Sequence, residues 1–217
     1  MPDPLIIKIC GIKTEAILDA AIAAGADMVG FVHFARSPRH LELDPIGELI
    51  SLARGRAETC VLLVNPDNTL VAQVAALGPD WLQLHGPETP HRVETIRDEA
   101  GIAILKACPI GSAEDVAAVA GFADCADRLL LDAKAPSEAT RPGGLGTTFD
   151  WSLLKALDPQ LSFMLSGGLT PENVGAAVQA TRPMGVDVSS GVETAPGVKD
   201  AGRIRAFITN ARQAAAG

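Results

Sequence analysis

Short apolar runs and helical patterns alternate along the whole chain, and this repetition restricts the possible folds more than any other feature. A short apolar or β-branched run that ends at a polar residue or glycine is typical of a strand covered on both faces. The predicted strands span 5–11, 28–32, 60–64, 81–84, 102–106, 128–132, 161–165 and 186–188. The predicted helices span 14–25, 44–53, 67–77, 88–100, 112–120, a stretch opened by 149–151, 171–180 and 199–214.

A strand, a helix and a second strand within about 30 residues form one βαβ unit, so the fold class is α/β with parallel strands. Such strands form either an open doubly wound sheet or a closed (β/α)8 barrel. Eight similar units favour closure, and Ile12-Lys13-Thr14 after Gly11 lacks the glycine fingerprint of dinucleotide-binding sheets. We predict a single (β/α)8 TIM barrel domain over 1–217, with a mobile loop at about 133–148.

The composition is that of an ordinary soluble globular protein, with 47% hydrophobic and 20% charged residues. The net charge of -8 argues against general binding to nucleic acid or to an acidic membrane. The chain has no basic and apolar leader and no stretch of about twenty apolar residues, so we expect a cytoplasmic protein. Cys10, Cys60, Cys108 and Cys125 lack zinc-site spacing, which predicts four reduced thiols and no metal.

Polar residues that follow the predicted strands define a candidate site. In a (β/α)8 barrel these residues lie on one rim, so positions far apart in sequence converge on one cavity. The predicted rim consists of Cys10, His33, Arg36, Arg39, Asn65, His85, Lys106, Cys108, Asp132, Ser166, Gly167, Gly168, Ser189, Ser190 and Gly191.

Two turns of small residues follow the last two predicted strands, at 166–168 and 189–191. Glycines let backbone N–H groups approach an anion closely, and barrel enzymes often bind phosphate at these two loops. Either turn alone would be explained as a tight connection. Their occurrence at neighbouring strand ends predicts a phosphate site.

Arg36 and Arg39 lie in a loop after the second strand, around Pro38. An arginine on the rim can hold a carboxylate in a bidentate fork. Two arginines in a loop are equally explained as a solvated surface. The residues alone leave both interpretations open.

Cys10 and Asp132 each end a buried strand and form a candidate pair of base and acid. Burial raises the pKa of a carboxyl group, and a neighbouring cation such as Lys8 or Lys13 would favour the thiolate. The alternatives are that Cys10 packs as a small hydrophobe and that Asp132 is a cap or pairs with Lys134. An acid and a base across a barrel mouth suit proton transfers on an isomerising substrate.

The chain resembles the phosphoribosylanthranilate isomerase family over nearly its whole length. The resemblance lies in Lys8-Ile9-Cys10-Gly11-Ile12, Gly30-Phe31-Val32, Ser37-Pro38-Arg39, Gln83-Leu84-His85-Gly86, Leu130-Leu131-Asp132, Thr148-Phe149-Asp150-Trp151, Leu165-Ser166-Gly167-Gly168-Leu169 and Val186-Asp187-Val188-Ser189-Ser190-Gly191-Val192-Glu193. The order and combination of these stretches are specific, whereas Ser-Gly-Gly-Leu alone fits several phosphate-binding barrels.

The resemblance implies an Amadori rearrangement of N-(5-phosphoribosyl)anthranilate to 1-(2-carboxyphenylamino)-1-deoxyribulose 5-phosphate in tryptophan biosynthesis, without a cofactor. It assigns Asp132 as general acid, Cys10 as general base, Arg39 as the ligand of the anthranilate carboxylate, and His85 to a supporting role. The substrate-binding residues it implies are Arg39, His85, Gly167, Gly168, Asp187, Ser189, Ser190 and Gly191. The expected partner is a phosphorylated small molecule with a carboxylate, and the expected assembly is a monomer or homodimer.

The loop sequence departs from the family where Leu145 and Thr147 stand, since the family commonly has Ser or Thr at the first position and Lys at the second. We therefore predict that this loop closes over the substrate without a side-chain contact to it. Two alternatives stay open. One is another sugar-phosphate barrel, such as an indole-glycerol-phosphate synthase-like or bifunctional isomerase, and the other is a catalytically silent barrel that binds a phosphorylated metabolite or a partner subunit.

Overall fold

Eight parallel strands close into a barrel in the computed structural model, which describes residues 4–136, 138–139, 141–146 and 148–217. The strands are β1 Ile6–Cys10, β2 Met28–Val32, β3 Glu58–Leu63, β4 Trp81–Leu84, β5 Ala103–Ile110, β6 Arg128–Ala133, β7 Phe163–Leu165 and β8 Gly185–Val188. Each strand pairs with its neighbours in sequence, and β8 pairs with β1 to close the barrel. The predicted (β/α)8 barrel is confirmed.

Helices cover the outside of the barrel and begin where the sequence provides caps. They are α1 Glu15–Ala23, α2 Leu43–Ala53, α3 Asn68–Ala76, α4 Pro90–Ala100, α5 Ala113–Ala118, α6 Val174–Thr181 and α7 Ala201–Ala216. Short 3₁₀ helices span Val119–Phe122, Trp151–Ala156 and Ser190–Val192. The side chains of Thr14, Asp67 and Ser112 each accept a hydrogen bond from a first-turn N–H and so fix the start of a helix.

The α-helix predicted after 149–151 is wrong. Asp150 caps this segment by accepting a hydrogen bond from Ser152, but the chain forms only the 3₁₀ helix Trp151–Ala156. Leu157 is already extended, and Pro159 disfavours a helical conformation at the residue before it. The segment is therefore too short for a full α-helix.

Side chains alternate between the barrel interior and the outer core, as the period of a strand requires. In β1, Ile7 and Ile9 join the large outer core beneath the helices, whereas Lys8 reaches across the interior to Gln83 of β4 and Asp187 of β8. A separate apolar cluster lies in the interior and consists mainly of Met28, Cys60, Trp81, Leu105, Ala107, Leu130 and Met164. A buried polar layer thus accompanies an apolar layer inside the barrel.

Strand β5 continues to Ile110, four residues beyond the strand end predicted at Lys106. Lys106 therefore lies within the strand, where its ammonium contacts Glu88 Oε2 at 2.8 Å and the carbonyl oxygen of Gly86 at 2.8 Å. Cys108 belongs to the outer core. The strand end predicted at Lys106 and the rim position predicted for Cys108 are wrong, whereas Lys106 lines a cleft beside His85 and Asp132.

A small antiparallel hairpin follows β8 and was not predicted. It consists of β9 Glu193–Ala195 and β10 Val198–Lys199, with Gly197 in the left-handed region at φ 80° in the turn. The hairpin brings Glu193 and Lys199 close to the carboxyl ends of β1 and β8, since Lys199 Nζ donates to the Ser189 carbonyl oxygen at 2.8 Å.

No helix within the described part of the chain is both long and apolar enough to span a membrane.

We expect Glu88→Ala to destabilise the protein by about 3–5 kcal/mol, the usual cost of removing one partner from a buried ion pair. Lys106 would lose its counter-ion while only 2% exposed, and the N–H groups of Asn65 and Gly86 would lose the acceptor Oε1. Denaturant unfolding followed by circular dichroism measures the change. The matched control is Glu94→Ala on the exposed face of α4, and equal stability of the two variants would contradict the assignment.

Candidate active site

A single cavity at the carboxyl ends of the strands collects most of the predicted site residues. Its lining includes Cys10, Arg39, His85, Asp132, Gly167, Gly168, Asp187, Ser189 and Ser190. Gly191 lines an adjoining cleft that shares Gly168 and Ser190 with the main cavity. Of the remaining rim residues, His33, Arg36 and Asn65 do not line the cavity.

Cys10 lies at the end of β1 and is only 4% exposed. Gly30 of β2 makes room for the thiol, because a Cβ atom at that position would lie 3.0 Å from Cys10 Sγ. Burial raises the pKa of the Cys10 thiol, and the positive charges of Lys8 and Lys199 oppose this rise without overcoming it. As predicted, Lys8 lowers the pKa of Cys10, but burial outweighs it. Lys13 instead donates to the Pro38 carbonyl oxygen.

Asp132 lies near the end of β6, on the same cavity as Cys10, and is 5% exposed. Its Oδ2 is 3.1 Å from His85 Nε2, and its Oδ1 accepts a hydrogen bond of 2.9 Å from the Ala133 N–H. The alternative pairing with Lys134 is wrong, because Lys134 contacts Asp115 at 2.7 Å. The carboxyl group is therefore held by a histidine and by the backbone.

Arg39 is buried whereas Arg36 is exposed, so the two arginines of the loop have different environments. Arg39 Nε and Nη2 lie 2.8 Å and 2.9 Å from the two oxygens of Glu193, and Lys199 Nζ contacts Glu193 Oε1 at 2.8 Å. Although burial raises the pKa of Glu193, hydrogen bonds from Arg39 and the charge of Lys199 lower it overall. The hairpin thus anchors one edge of the guanidinium by a bidentate ion pair.

Glu193 and Lys199 were not predicted as site residues. The available signal for Glu193 was its place at the end of the last stretch that resembles the family. Nothing in its local sequence indicates that it pairs with Arg39, 154 positions earlier. Gln83 also lines the cavity without having been predicted as a site residue. Contacts between distant strands and loops determine all three positions.

The turn after β7 and the turn after β8 pack tightly against each other. Gly167 and Gly168 have φ angles of 85° and 61°, which glycine adopts without strain. A Cβ atom at Gly191 would lie 1.9 Å from the Leu169 carbonyl oxygen, so this close approach requires glycine. Among the hydrogen bonds of the described residues, none uses the N–H groups of Gly168, Ser190 or Gly191. These donors are available to an anion.

The side chains of Ser189 and Asp187 already have protein partners. Ser189 Oγ donates to the Cys10 carbonyl oxygen at 3.0 Å and accepts from Lys199 Nζ at 3.1 Å. Asp187 Oδ1 accepts from Lys8 Nζ at 2.9 Å inside the barrel. Both residues lie at the cavity, and these contacts tie the end of β8 to β1.

The segment 141–146 covers one side of the cavity. A Cβ atom at Gly143 would lie 2.6 Å from His85 Nε2 and 2.7 Å from Asp132 Oδ2, so glycine permits the close approach of this segment to the carboxyl group. The Gly144 carbonyl oxygen accepts from Arg39 Nη2 at 3.4 Å, and Leu145 lines the cavity. Thr147, the other position at which the loop departs from the family, lies outside the described residues.

One group among the described residues has ligand atoms close enough for a metal ion, namely His33, His40 and Glu42. It lies in the connection from β2 to α2, and none of the three residues lines the cavity. The four cysteines are free thiols. The functional groups that the described residues bring to the cavity therefore include a thiol, a carboxyl group, an imidazole and a guanidinium.

Comparisons with known proteins agree with this geometry. The family model described as N-(5'phosphoribosyl)anthranilate (PRA) isomerase matches residues 7–210. The N-(5'-phosphoribosyl)anthranilate isomerase of Nitrobacter hamburgensis is 57% identical over 211 residues, covering 97% of this chain and 94% of the relative.

Solved structures with this fold include a monomeric form of the dimeric phosphoribosylanthranilate isomerase of Thermotoga maritima. The two structures superpose with a TM-score of 0.82 and 32% sequence identity, and the match covers 96% of this chain and 99% of that chain. A second is a phosphoribosyl anthranilate isomerase in complex with reduced 1-(o-carboxyphenylamino)-1-deoxyribulose 5-phosphate, with TM-score 0.82, 30% identity and the same two coverages.

We expect the Cys10 thiol of the free protein to titrate above the ordinary value of 9.0, because burial disfavours its thiolate. Alkylation by iodoacetamide requires the thiolate, so the rate at Cys10 should keep increasing with pH beyond that value. Mass spectrometry of the peptide that contains Cys10 measures the rate, with glutathione as the reagent control. A rate that reaches its plateau below about pH 8 would contradict the expectation.

Proposed function

The chain belongs to the N-(5'-phosphoribosyl)anthranilate isomerase family, and on this premise we propose that Asp132 is the general acid and Cys10 the general base of its reaction. The protein is an isomerase of N-(5'-phosphoribosyl)anthranilate in tryptophan biosynthesis. The observation that carries the proposed roles is that a thiol from β1 and a carboxyl group from β6 line one cavity.

In the proposed mechanism, protonated Asp132 gives its proton to the furanose ring oxygen as the bond from that oxygen to C1 breaks. The nitrogen lone pair then forms an iminium with C1. The Cys10 thiolate removes the proton from C2, and the electron pair of that bond returns to the iminium to give an enolamine. Tautomerisation of the enolamine gives the ketone product, so no oxidant or reductant is consumed.

Burial and nearby charges determine how the Cys10 thiol can act as the base. A thiol whose pKa is raised is a stronger base once it is ionised, and it is screened from water at 4% exposure. The positive charges of Lys8 and Lys199 favour the thiolate that must form before the proton is removed. The reacting thiolate is therefore scarce at neutral pH but basic.

Arg39 is the proposed ligand of the anthranilate carboxylate. Glu193 occupies the Nε edge of the guanidinium, and among the described residues no acceptor contacts Nη1. Nη1 and Nη2 form the second fork of an arginine, so a carboxylate can bind end-on while Glu193 stays in place. In this orientation the substrate would take the position of the Gly144 carbonyl oxygen, now 3.4 Å from Nη2.

The phosphate is proposed to bind at the two turns after β7 and β8. The available N–H groups of Gly168, Ser190 and Gly191 support this placement, since backbone donors and glycines suit a close approach to an anion. Gly167 contributes the turn itself, with φ 85°. Asp187 and Ser189 are proposed to act by holding the end of β8, because their side chains already bond to Lys8, Cys10 and Lys199.

We propose that residues 1–217 form one domain in the cytoplasm, as a monomer or homodimer. We also propose that 141–146 opens for the substrate; of the loop predicted at about 133–148, residues 137, 140 and 147 lie outside the described part of the chain. The partner of the site is a phosphorylated small molecule with a carboxylate, and neither nucleic acid nor membrane is involved. The closed barrel supports the single domain, the net charge of -8 argues against nucleic acid and acidic membranes, and the placement of 141–146 over the cavity supports its opening.

We expect Cys10→Ala and Asp132→Asn each to lower kcat by about 10²–10⁴-fold, the contribution of a positioned acid or base. Loss of anthranilate-type fluorescence after mixing with freshly generated phosphoribosylanthranilate measures the activity. The matched controls are Cys125→Ala and Asp124→Asn, which lie outside the cavity. Parental activity in both site variants would disprove the assigned roles.

We expect Arg39→Ala to raise KM more than it lowers kcat, because the contact to the substrate carboxylate is made in both ground and transition states. Glu193→Gln should raise KM by about tenfold, since the guanidinium loses a charged acceptor worth roughly 1.5 kcal/mol or more. Steady-state kinetics with Glu15→Gln, an exposed change on α1, as control measures both effects. A fall in kcat at unchanged KM would count against this role.

A further inference from the structure

We propose that Gln83, oriented by Lys8, is a positioning residue that holds His85 in the neutral form protonated at Nε2, so that His85 fixes the orientation of Asp132. This inference rests on the proposed role of Asp132 as the acid. A continuous line of side chains from β8, β1, β4 and β6 carries it, through Asp187, Lys8, Gln83, His85 and Asp132.

Lys8 begins the line because its ammonium has only donors. The side chain is fully buried, with Nζ 2.9 Å from Asp187 Oδ1 and 2.9 Å from Gln83 Oε1. Burial alone would lower the pKa of Lys8, but the charge of Asp187 and its hydrogen bond to the ammonium raise it overall, so the ammonium stays charged. A group with no acceptor must face the oxygen of the Gln83 amide and not its nitrogen.

Gln83 transmits this constraint to the histidine. The amide is 0% exposed, and with its oxygen directed to Lys8 its Nε2 lies 2.8 Å from His85 Nδ1. An amide nitrogen can only donate, so Nδ1 of His85 must accept. The orientation of the amide thus follows from the chemistry of Lys8, and the tautomer of His85 follows from the orientation of the amide.

His85 then has its proton on Nε2, which is 3.1 Å from Asp132 Oδ2. A second proton on Nδ1 would place two donors face to face across 2.8 Å. The second oxygen of Asp132 accepts from the Ala133 N–H at 2.9 Å. Each oxygen keeps one further lone pair, so the acidic proton can occupy the side that faces the cavity without displacing either contact.

This series of side chains differs from a merely structural polar cluster because its hydrogen bonds all donate in one direction, from Lys8 towards His85. Each hydrogen bond from Lys8 to His85 has a single allowed donor, and Nε2 of His85 then lies 3.1 Å from Oδ2 of the proposed acid. A change at Gln83 therefore alters the tautomer of His85, which it contacts, and the orientation of Asp132, which it does not contact.

The decisive measurement is the ¹⁵N NMR spectrum of the histidine rings in the full-length protein, with His85→Asn to assign the signals. We expect Nδ1 of His85 to show the shift of an unprotonated nitrogen and Nε2 that of a protonated one. A protonated Nδ1 in the parent protein would overturn the inference without any further variant.

Gln83→Glu supplies the second test, because a carboxylate of the same shape accepts from both Lys8 and a protonated Nδ1. We expect Nδ1 of His85 to become protonated and kcat to fall by about tenfold or more, part of the contribution of a positioned acid, while KM changes by less than about threefold. The matched control, Gln73→Glu on the exposed face of α3, should change neither quantity.

An unchanged tautomer in Gln83→Glu, or a changed tautomer with parental kcat, would overturn the inference. The ring spectrum is independent of turnover. Failure of the proposed function would instead appear as an inactive parent protein, or as parental activity in Asp132→Asn, whatever the tautomer of His85.

Discussion

The ion pair between Lys8 and Asp187 is the interaction on which the site depends. The two residues are register partners across the seam where β1 and β8 close the barrel, and their charges lie 2.9 Å apart in its interior. A buried charge needs a close partner, so this pair specifies which strands meet and at which register. Cys10 stands two residues further along β1, and from the same ammonium the polar layer extends through Gln83 to His85.

In the proposed mechanism, the residues that hold the substrate and those that transform it lie on different kinds of element. The arginine and the glycine turns lie on connections after β2, β7 and β8, whereas the thiol and the acid belong to β1 and β6 themselves. Side chains on strands of a closed barrel are held more firmly than side chains on loops, which suits groups that must exchange protons at a defined distance. Arg39 is the exception that needs support, and the hairpin of Glu193 and Lys199 provides it.

The strands, most helices and the gathering of Cys10, His85 and Asp132 at one rim could be predicted because they follow from local patterns and from the geometry of parallel barrels. The continuation of β5 to Ile110 could not, since tertiary packing decides where a weak pattern ends. The 3₁₀ helix Trp151–Ala156 has a local signal in Pro159, which the interpretation of this segment as an α-helix did not use. The burial of Cys10 could be predicted from its strand, but not that burial outweighs the charge of Lys8 on the pKa of the thiol. Glu193 illustrates the same limit, because its partner Arg39 is distant in the chain.

The closing of the barrel by residues 8 and 187 also bears on the order in which the protein can be completed during synthesis. The first strand leaves the ribosome with a lysine whose counter-ion is translated nearly last. Until then the Lys8 ammonium lacks its counter-ion in the barrel interior, so the polar layer at this seam can form only when β8 is present. Burial of this lysine as a neutralised pair therefore links the first strand of the barrel directly to the last.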